Sequence, residues 1–205
     1  MIQALQTSIT FDEFIAWYPE NSGTRYELHD GVIVEMPKPR GKHSRVSGDL
    51  AFDLGSAIRQ AKLPYFIPKE CVVKALDESG YEPDIVVLDE NAIVHEPRWE
   101  GESIIENGAS IRLIVEVVST NWRDDYLTKL ADYEELGIPK YWIVDYAALG
   151  GKRFIGNPKQ PTLNIYTLDE TGEYQLAQFR DSERIISSAF PDLMLTAAQI
   201  FAAGQ

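Results

Sequence analysis

Three residues carry the chemistry this sequence can offer. Glu116 is set into the apolar run IRLIVEVV at 111–118, between Val115 and Val117. Asp84 opens a second apolar run, IVVLD. Lys129 follows, four residues after Asp125 and four before Tyr133, so all three lie on one helix face. A glutamate is seldom buried without a partner, so Glu116 must pair with a cation, a metal or a nearby lysine. Two carboxylates entering from neighbouring strands form a hard, oxygen-rich site suited to hydrated Mg²⁺ or Mn²⁺. Such an ion orients and activates water and stabilises charge on a phosphate. A nearby ammonium adds to that stabilisation. The simpler readings are a Glu116–Lys129 structural ion pair and Asp84 as a strand-start turn residue. Asp125 would orient Lys129 or face solvent, and Ser119 would cap the helix.

The elements that position these groups follow from periodicity. Thr10 and Glu13 have capping-box spacing for a short helix through Trp17. RYELHDGVIVEM at 25–36 reads as a hairpin turning at Asp30–Gly31. Its second strand alternates Val32, Val34 and Met36 against Ile33 and Glu35, and Glu27 and Glu35 read as solvent-facing. A helix from His43 to about Lys62 carries Val46, Leu50, Leu54, Ala57, Ile58 and Ala61 as its apolar stripe. Residues 65–76 read as one strand, with Pro68 marking an edge or bulge, and 77–80 as a turn. Residues 89–110 form a long connection, and YWIVD at 141–145 is another buried strand. LNIYTL and EYQLAQF read as a hairpin, Arg184 opens one more strand, and a short helix follows Pro191. The expected class is mixed α/β, a single domain over 1–205 with its core at about 26–145.

Composition narrows the function classes. No apolar run reaches the length of a membrane span, and the N-terminus lacks the pattern of a secretion signal, so a cytoplasmic location is expected. Cys71 is the single cysteine, which excludes an intrachain disulfide and a cysteine-based zinc site. The net charge of −13 argues against a nonspecific nucleic-acid coat. Its distribution is uneven. Residues 36–74 hold eight basic residues (Lys38, Arg40, Lys42, Arg45, Arg59, Lys62, Lys69, Lys74) against Asp49, Asp53 and Glu70. Residues 75–110 hold ten acids and one base, Arg98. A basic face on an acidic body suits a phosphate-bearing partner; a solvated charged surface is the plainer meaning. His43, within the basic segment PKPRGKHSR, is either a polar first-turn residue or a group that meets a phosphate or a metal. His29, His43 and His95 lie apart in sequence with no nucleophile motif around them, and no phosphate-cradling glycine loop is present.

Pro83–Asp84, EVVS at 116–119, Asp125…Lys129…Tyr133 and GIPKYWIVD at 137–145, in this order and spacing, resemble the Uma family of the PD-(D/E)XK nuclease superfamily. The resemblance runs from about Tyr26 to Asp145. It implies a restriction endonuclease-like mixed sheet flanked by helices, with added N- and C-terminal hairpins. It implies Asp84, Glu116 and the carbonyl of Val117 as ligands of Mg²⁺ or Mn²⁺. The superfamily's lysine lies two residues after the second acid, where this chain has Val118. Lys129 is the candidate replacement, and Glu35 the candidate for the extra acid that some members place before the core. The expected activity is metal-dependent endonucleolytic hydrolysis of DNA. Lys38, Arg40, Lys42, His43 and Arg45 would engage the nucleic acid, and a homodimer is expected. The competing expectation is an inactive module of the same fold that binds nucleic acid or protein.

Overall fold

The architecture comes from a computed structural model that describes residues 8–19 and 23–205. Helix α1 (Phe11–Trp17) starts at the Thr10–Glu13 capping box and packs against the hairpin β1 (Arg25–His29) and β2 (Val32–Met36). The turn has positive φ at both Asp30 and Gly31, as a tight two-residue hairpin needs. Helix α2 (Gly41–Ala61) follows, then β3 (Tyr65–Phe66), β4 (Val72–Leu76), β5 (Ser79–Tyr81) and β6 (Ile85–Asp89). The acidic connection holds α3 (Trp99–Glu102) and β7 (Ile104–Ile105) before β8 (Ile111–Val117). A π-helical turn (Asp124–Thr128) leads into α4 (Lys129–Glu135), then β9 (Lys140–Asp145), α5 (Lys152–Ile155), β10 (Thr162–Leu168), β11 (Tyr174–Phe179) and α6 (Ala197–Ala202).

Two mixed sheets result. One is ordered β2-β1-β5-β4-β7 and the other β11-β10-β9-β8-β6-β3. In the larger sheet only β8 and β9 run parallel, so residues leaving both strands emerge on the same edge. Alternation along β8 sends Leu113, Val115 and Val117 to one face, where α2 and α6 cover them. On that face Val46, Leu50, Leu54 and Ile58 of α2 are buried, each side chain stabilising the docking by about 1.5–3 kcal/mol. Ile114 and Val118 go to the other face, against Tyr126, Tyr133 and residues Val73, Ala75 and Tyr81 of the smaller sheet. Glu116 shares this second face, enclosed between sheets and helix. Helix α1 covers the far side of the smaller sheet.

The mixed α/β class and both hairpins agree with the sequence reading. Three local expectations do not. Residues 65–76 split into β3 and β4, which belong to different sheets, because Pro68 and the following turn break the ladder. Part of the expected 77–80 turn is itself strand β5. The segment after Arg184 makes one bridge, Arg184 to Thr196, rather than a strand.

Candidate active site

Asp84 stands just before β6 and Glu116 near the end of β8, and the antiparallel pairing of these strands brings the two together. Asp84 Oδ2 accepts the Val117 amide at 2.8 Å, while the Asp84 amide lies 3.4 Å from Glu116 Oε2. The two acids are thus tied through each other's backbone. His43, in the first turn of α2, reaches the same spot from the opposite face of the sheet. Its Nε2 donates to the Val117 carbonyl at 2.8 Å and lies 3.3 Å from Asp84 Oδ2. Its Nδ1 is buried with no hydrogen-bond partner among the described residues.

Lys129 comes from the other side. The helix begins with Trp122, and neither Ser119 nor Thr120 caps it by a side-chain bond among the described residues. The π turn sets the start of α4 so that Lys129 points inward, and Tyr141 donates to the Asp125 carbonyl at 3.0 Å. Lys129 Nζ donates to Glu116 Oε1 at 2.9 Å and to Glu27 Oε1 at 3.0 Å. It also lies 5.2 Å from the centroid of Tyr81, whose hydroxyl is fixed by Asp132. Tyr133 adds a bond to Glu116 Oε1 at 3.3 Å. Glu27 is itself held by His29 Nε2 at 2.9 Å and the Glu82 amide at 3.1 Å.

Two carboxyl groups, Glu27 and Glu116, therefore contact one ammonium, with the charge of Asp125 nearby, and the titration behaviour follows. Burial lifts Glu116 to about 7; Lys129 opposes this, while the charges of Asp84 and Glu27 add to it. Burial also pushes Glu27 up, but Lys129 and His29 outweigh it and hold the group at about 2. Lys129 sits well above the ordinary lysine range, its burial overcome by the surrounding carboxylates. Burial raises Asp125, with Lys129 again opposing. Burial alone would lower His43, but the bond to Asp84 and that residue's charge outweigh it, and the group is raised. Crowding of like charges helps to raise Glu116 and Asp125, and a cation placed among these carboxyls would lower them again.

The donor set fits a hard divalent ion. Among the described residues no three His, Cys, Asp or Glu side chains are grouped to hold a metal; the residues that could hold one are two carboxylates, Asp84 and Glu116, and the Val117 carbonyl. Glu116 Oε2 meets only the Asp84 amide, and Asp84 Oδ1 accepts no hydrogen bond among the described residues. Oxygen ligands of this kind, few and incomplete, suit an ion that keeps its own waters.

Asp84, Glu116, Val117, Lys129 and His43 thus meet at one centre. Glu35 does not. It faces Tyr26 across the hairpin, and Tyr26 packs toward α1, so strand alternation turns Glu35 away from the centre. Glu27, one register position along, takes the inward place and is buried rather than solvent-facing. The signal for this lay in Tyr26 and Leu28, which α1 must cover, leaving Glu27 for the opposite face. Lys38, Arg40, Lys42 and Arg45 are exposed at the start of α2, within a few residues of His43; Arg45 forms a surface pair with Asp49.

Comparison with known proteins agrees with this geometry. A solved structure described as a "putative nuclease belonging to DUF820 from Anabaena variabilis ATCC 29413" superposes with a TM-score of 0.70 at 21% identity, covering 96% of this chain and 99% of that one. No curated protein matches the chain. The family model for Uma2, described as "Putative restriction endonuclease", matches residues 11–198. The chain belongs to the Uma2 family, on a nuclease fold.

Proposed function

We propose that the protein is a metal-dependent DNA endonuclease. The observation that carries this reading is the convergence of Asp84, Glu116 and Lys129 at the end of β8, with the Val117 carbonyl beside them. Asp84, Glu116 and the Val117 carbonyl would hold Mg²⁺ or Mn²⁺, which when bound activates water and neutralises phosphate charge. The Val117 amide fixes Asp84, and the hydroxyl of Tyr133 and the amine of Lys129 fix one oxygen of Glu116, leaving the other oxygen for the ion. Lys129 supplies a positive charge in a water-poor centre, where it acts more strongly on a phosphate than at the surface. Glu27 and the ring of Tyr81 set where that charge stands. Lys38, Arg40 and Lys42 contact the DNA backbone near His43. Two copies pairing through the exposed sheet edges belong to the same reading, and sedimentation tests that pairing.

Incubation of plasmid with the protein and Mg²⁺ or Mn²⁺ tests the activity. Nicking or linearisation is expected, and Asp84→Ala should abolish it; cutting that survives this substitution contradicts the assignment. One observation favours a second reading, an inactive binding module: Lys129 is 3% exposed and already paired with two carboxylates. Under that reading a titration shows no Mn²⁺ site that Glu116→Ala removes.

A further inference from the structure

The segments that leave β8 and β9 on the shared edge carry a second basic group. Residues 146–168 contain Lys152, Arg153 and Lys159 and no acid, in a chain whose net charge is −13. Arg123 joins them in space. Its guanidinium lies 4.5 Å from the ring of Trp122, and that of Arg153 lies 4.4 Å from the ring of Phe154. Trp122 and Phe154 meet edge to face at 6.1 Å, and Phe154 stacks on Tyr126 at 4.6 Å. The segments touch so closely that a Cβ at Gly151 would lie 2.9 Å from the Trp122 ring. Arg123, Lys152 and Arg153 are exposed, and among the described residues none of them is ion-paired. Asp124 is the acid adjoining Arg123 in the chain; Lys159 is spent on the Leu149 carbonyl at 3.0 Å.

We propose that Arg123, Lys152 and Arg153, seated on the Trp122–Phe154–Tyr126 plate, form a second DNA-binding surface that takes the sugar-phosphate backbone across the active-site edge from residues 38–45. Strand alternation in β8 places the two surfaces. Val115 and Val117 face α2, whose N-terminal end and the residues just before it carry the 38–45 charges, while Val118 packs with Tyr126 on the other face. The acids lie between them, because Asp125 adjoins Tyr126 and His43 touches Asp84. Guanidinium groups stacked on aromatic rings lose little freedom when they bind and present flat forks suited to phosphate oxygens. Two positive arms flanking a negative centre hold a polyanion over groups that would otherwise repel it.

This inference rests on the nuclease reading, and one binding experiment separates their failures. Anisotropy of a labelled duplex is followed across a salt series with Ca²⁺ present, for the wild type and three variants. Arg123→Gln/Lys152→Gln/Arg153→Gln should bind on the order of tenfold or more weakly, its salt slope falling by about 0.9 for each phosphate it no longer neutralises. Arg123→Lys/Arg153→Lys, which keeps the charges but removes the stacked forks, should hold the wild-type salt slope and lose only part of the affinity, which separates the role of charge from that of the fork. Arg59→Gln/Lys62→Asn, at the far end of α2, should bind as the wild type does. A triple variant with wild-type affinity and slope overturns the inference while leaving the nuclease reading intact. A wild type that binds no duplex overturns both.

Discussion

Two buried acid sites stand near the ends of the neighbouring parallel strands β8 and β9, and they are built differently. Asp145, at the end of β9, is fully buried, and both its oxygens accept backbone amides, Leu149 at 2.9 Å and Gly150 at 2.7 Å. Gly150 is required there, since a Cβ would lie 2.9 Å from Asp145 Oδ2. This acid fastens a loop, which engages both of its oxygens. At the end of β8, Asp84 and Glu116 are anchored through one oxygen each, and their second oxygens carry at most one weak contact. An acid whose donors are all supplied by its own loop is structural. One left incomplete beside other acids keeps the acceptor capacity that the proposed metal would use.

Substitution at the two ends should separate these roles. Asp84→Ala should lower DNA cleavage on the order of a thousandfold or more, and because it strands one amide, that of Val117, rather than two, its loss of melting temperature should be smaller than that of Asp145→Ala. Asp145→Ala should strand one buried and one partly buried amide, at about 1–3 kcal/mol for the buried one, lowering the melting temperature by roughly 2–4 °C per kcal/mol. Cleavage per folded molecule should persist in that variant. Parallel calorimetry and plasmid assays check both. Reversed outcomes would erase the distinction.

Lys129→Met probes the same contrast from the cationic side. It leaves Glu27 and Glu116 without their shared partner, an expected loss of roughly 3–5 kcal/mol by denaturant titration. Turnover in the remaining folded fraction should fall about 10²–10³-fold. A milder effect is expected in the metal-free protein as pH changes. Glu116 titrates higher in the fold than in the unfolded chain, so the folded state holds its proton longer and stability falls as pH rises from about 4.5 through 7. Glu27 titrates lower in the fold, so its contribution is present above about 4.5 and is lost as pH falls toward 2. Glu116→Gln should flatten the decline in the first window, read from melting temperature against pH, and leave the acid-side loss in place.

Much of this arrangement is legible in the sequence. An acid inside an unbroken apolar strand, another opening the adjacent one and a lysine a helical turn beyond Asp125 can meet only if strand and helix fold back together. The Asp30–Gly31 turn and the capping box at Thr10 are equally local, so they too are readable. What escaped reading depends on long-range choices. Glu27 and Glu35 look alike along the hairpin until α1 decides which face is covered. His43 appears isolated because its partner, the Val117 carbonyl, is 74 positions away. The split of residues 65–76 between two sheets depends on partners from β6 and β7 that local pattern does not reveal. The proposed second basic surface is assembled from two helical segments, one beginning at Trp122 after β8 and the other α5 after β9, so no single stretch shows it. The smallest expected effect follows from the parity of the hairpin: Glu35→Ala should change stability by no more than about 0.5 kcal/mol and leave cleavage unchanged.

Diffraction from crystals soaked in Mn²⁺, with the anomalous signal mapped, tests the central claim most directly. The expected result is a peak bounded by the carboxylates of Asp84 and Glu116 and the carbonyl of Val117, at about 2.0–2.3 Å from each. A map without a peak there, with His43 still bonded to Val117 and Lys129 still joining Glu27 to Glu116, would contradict it.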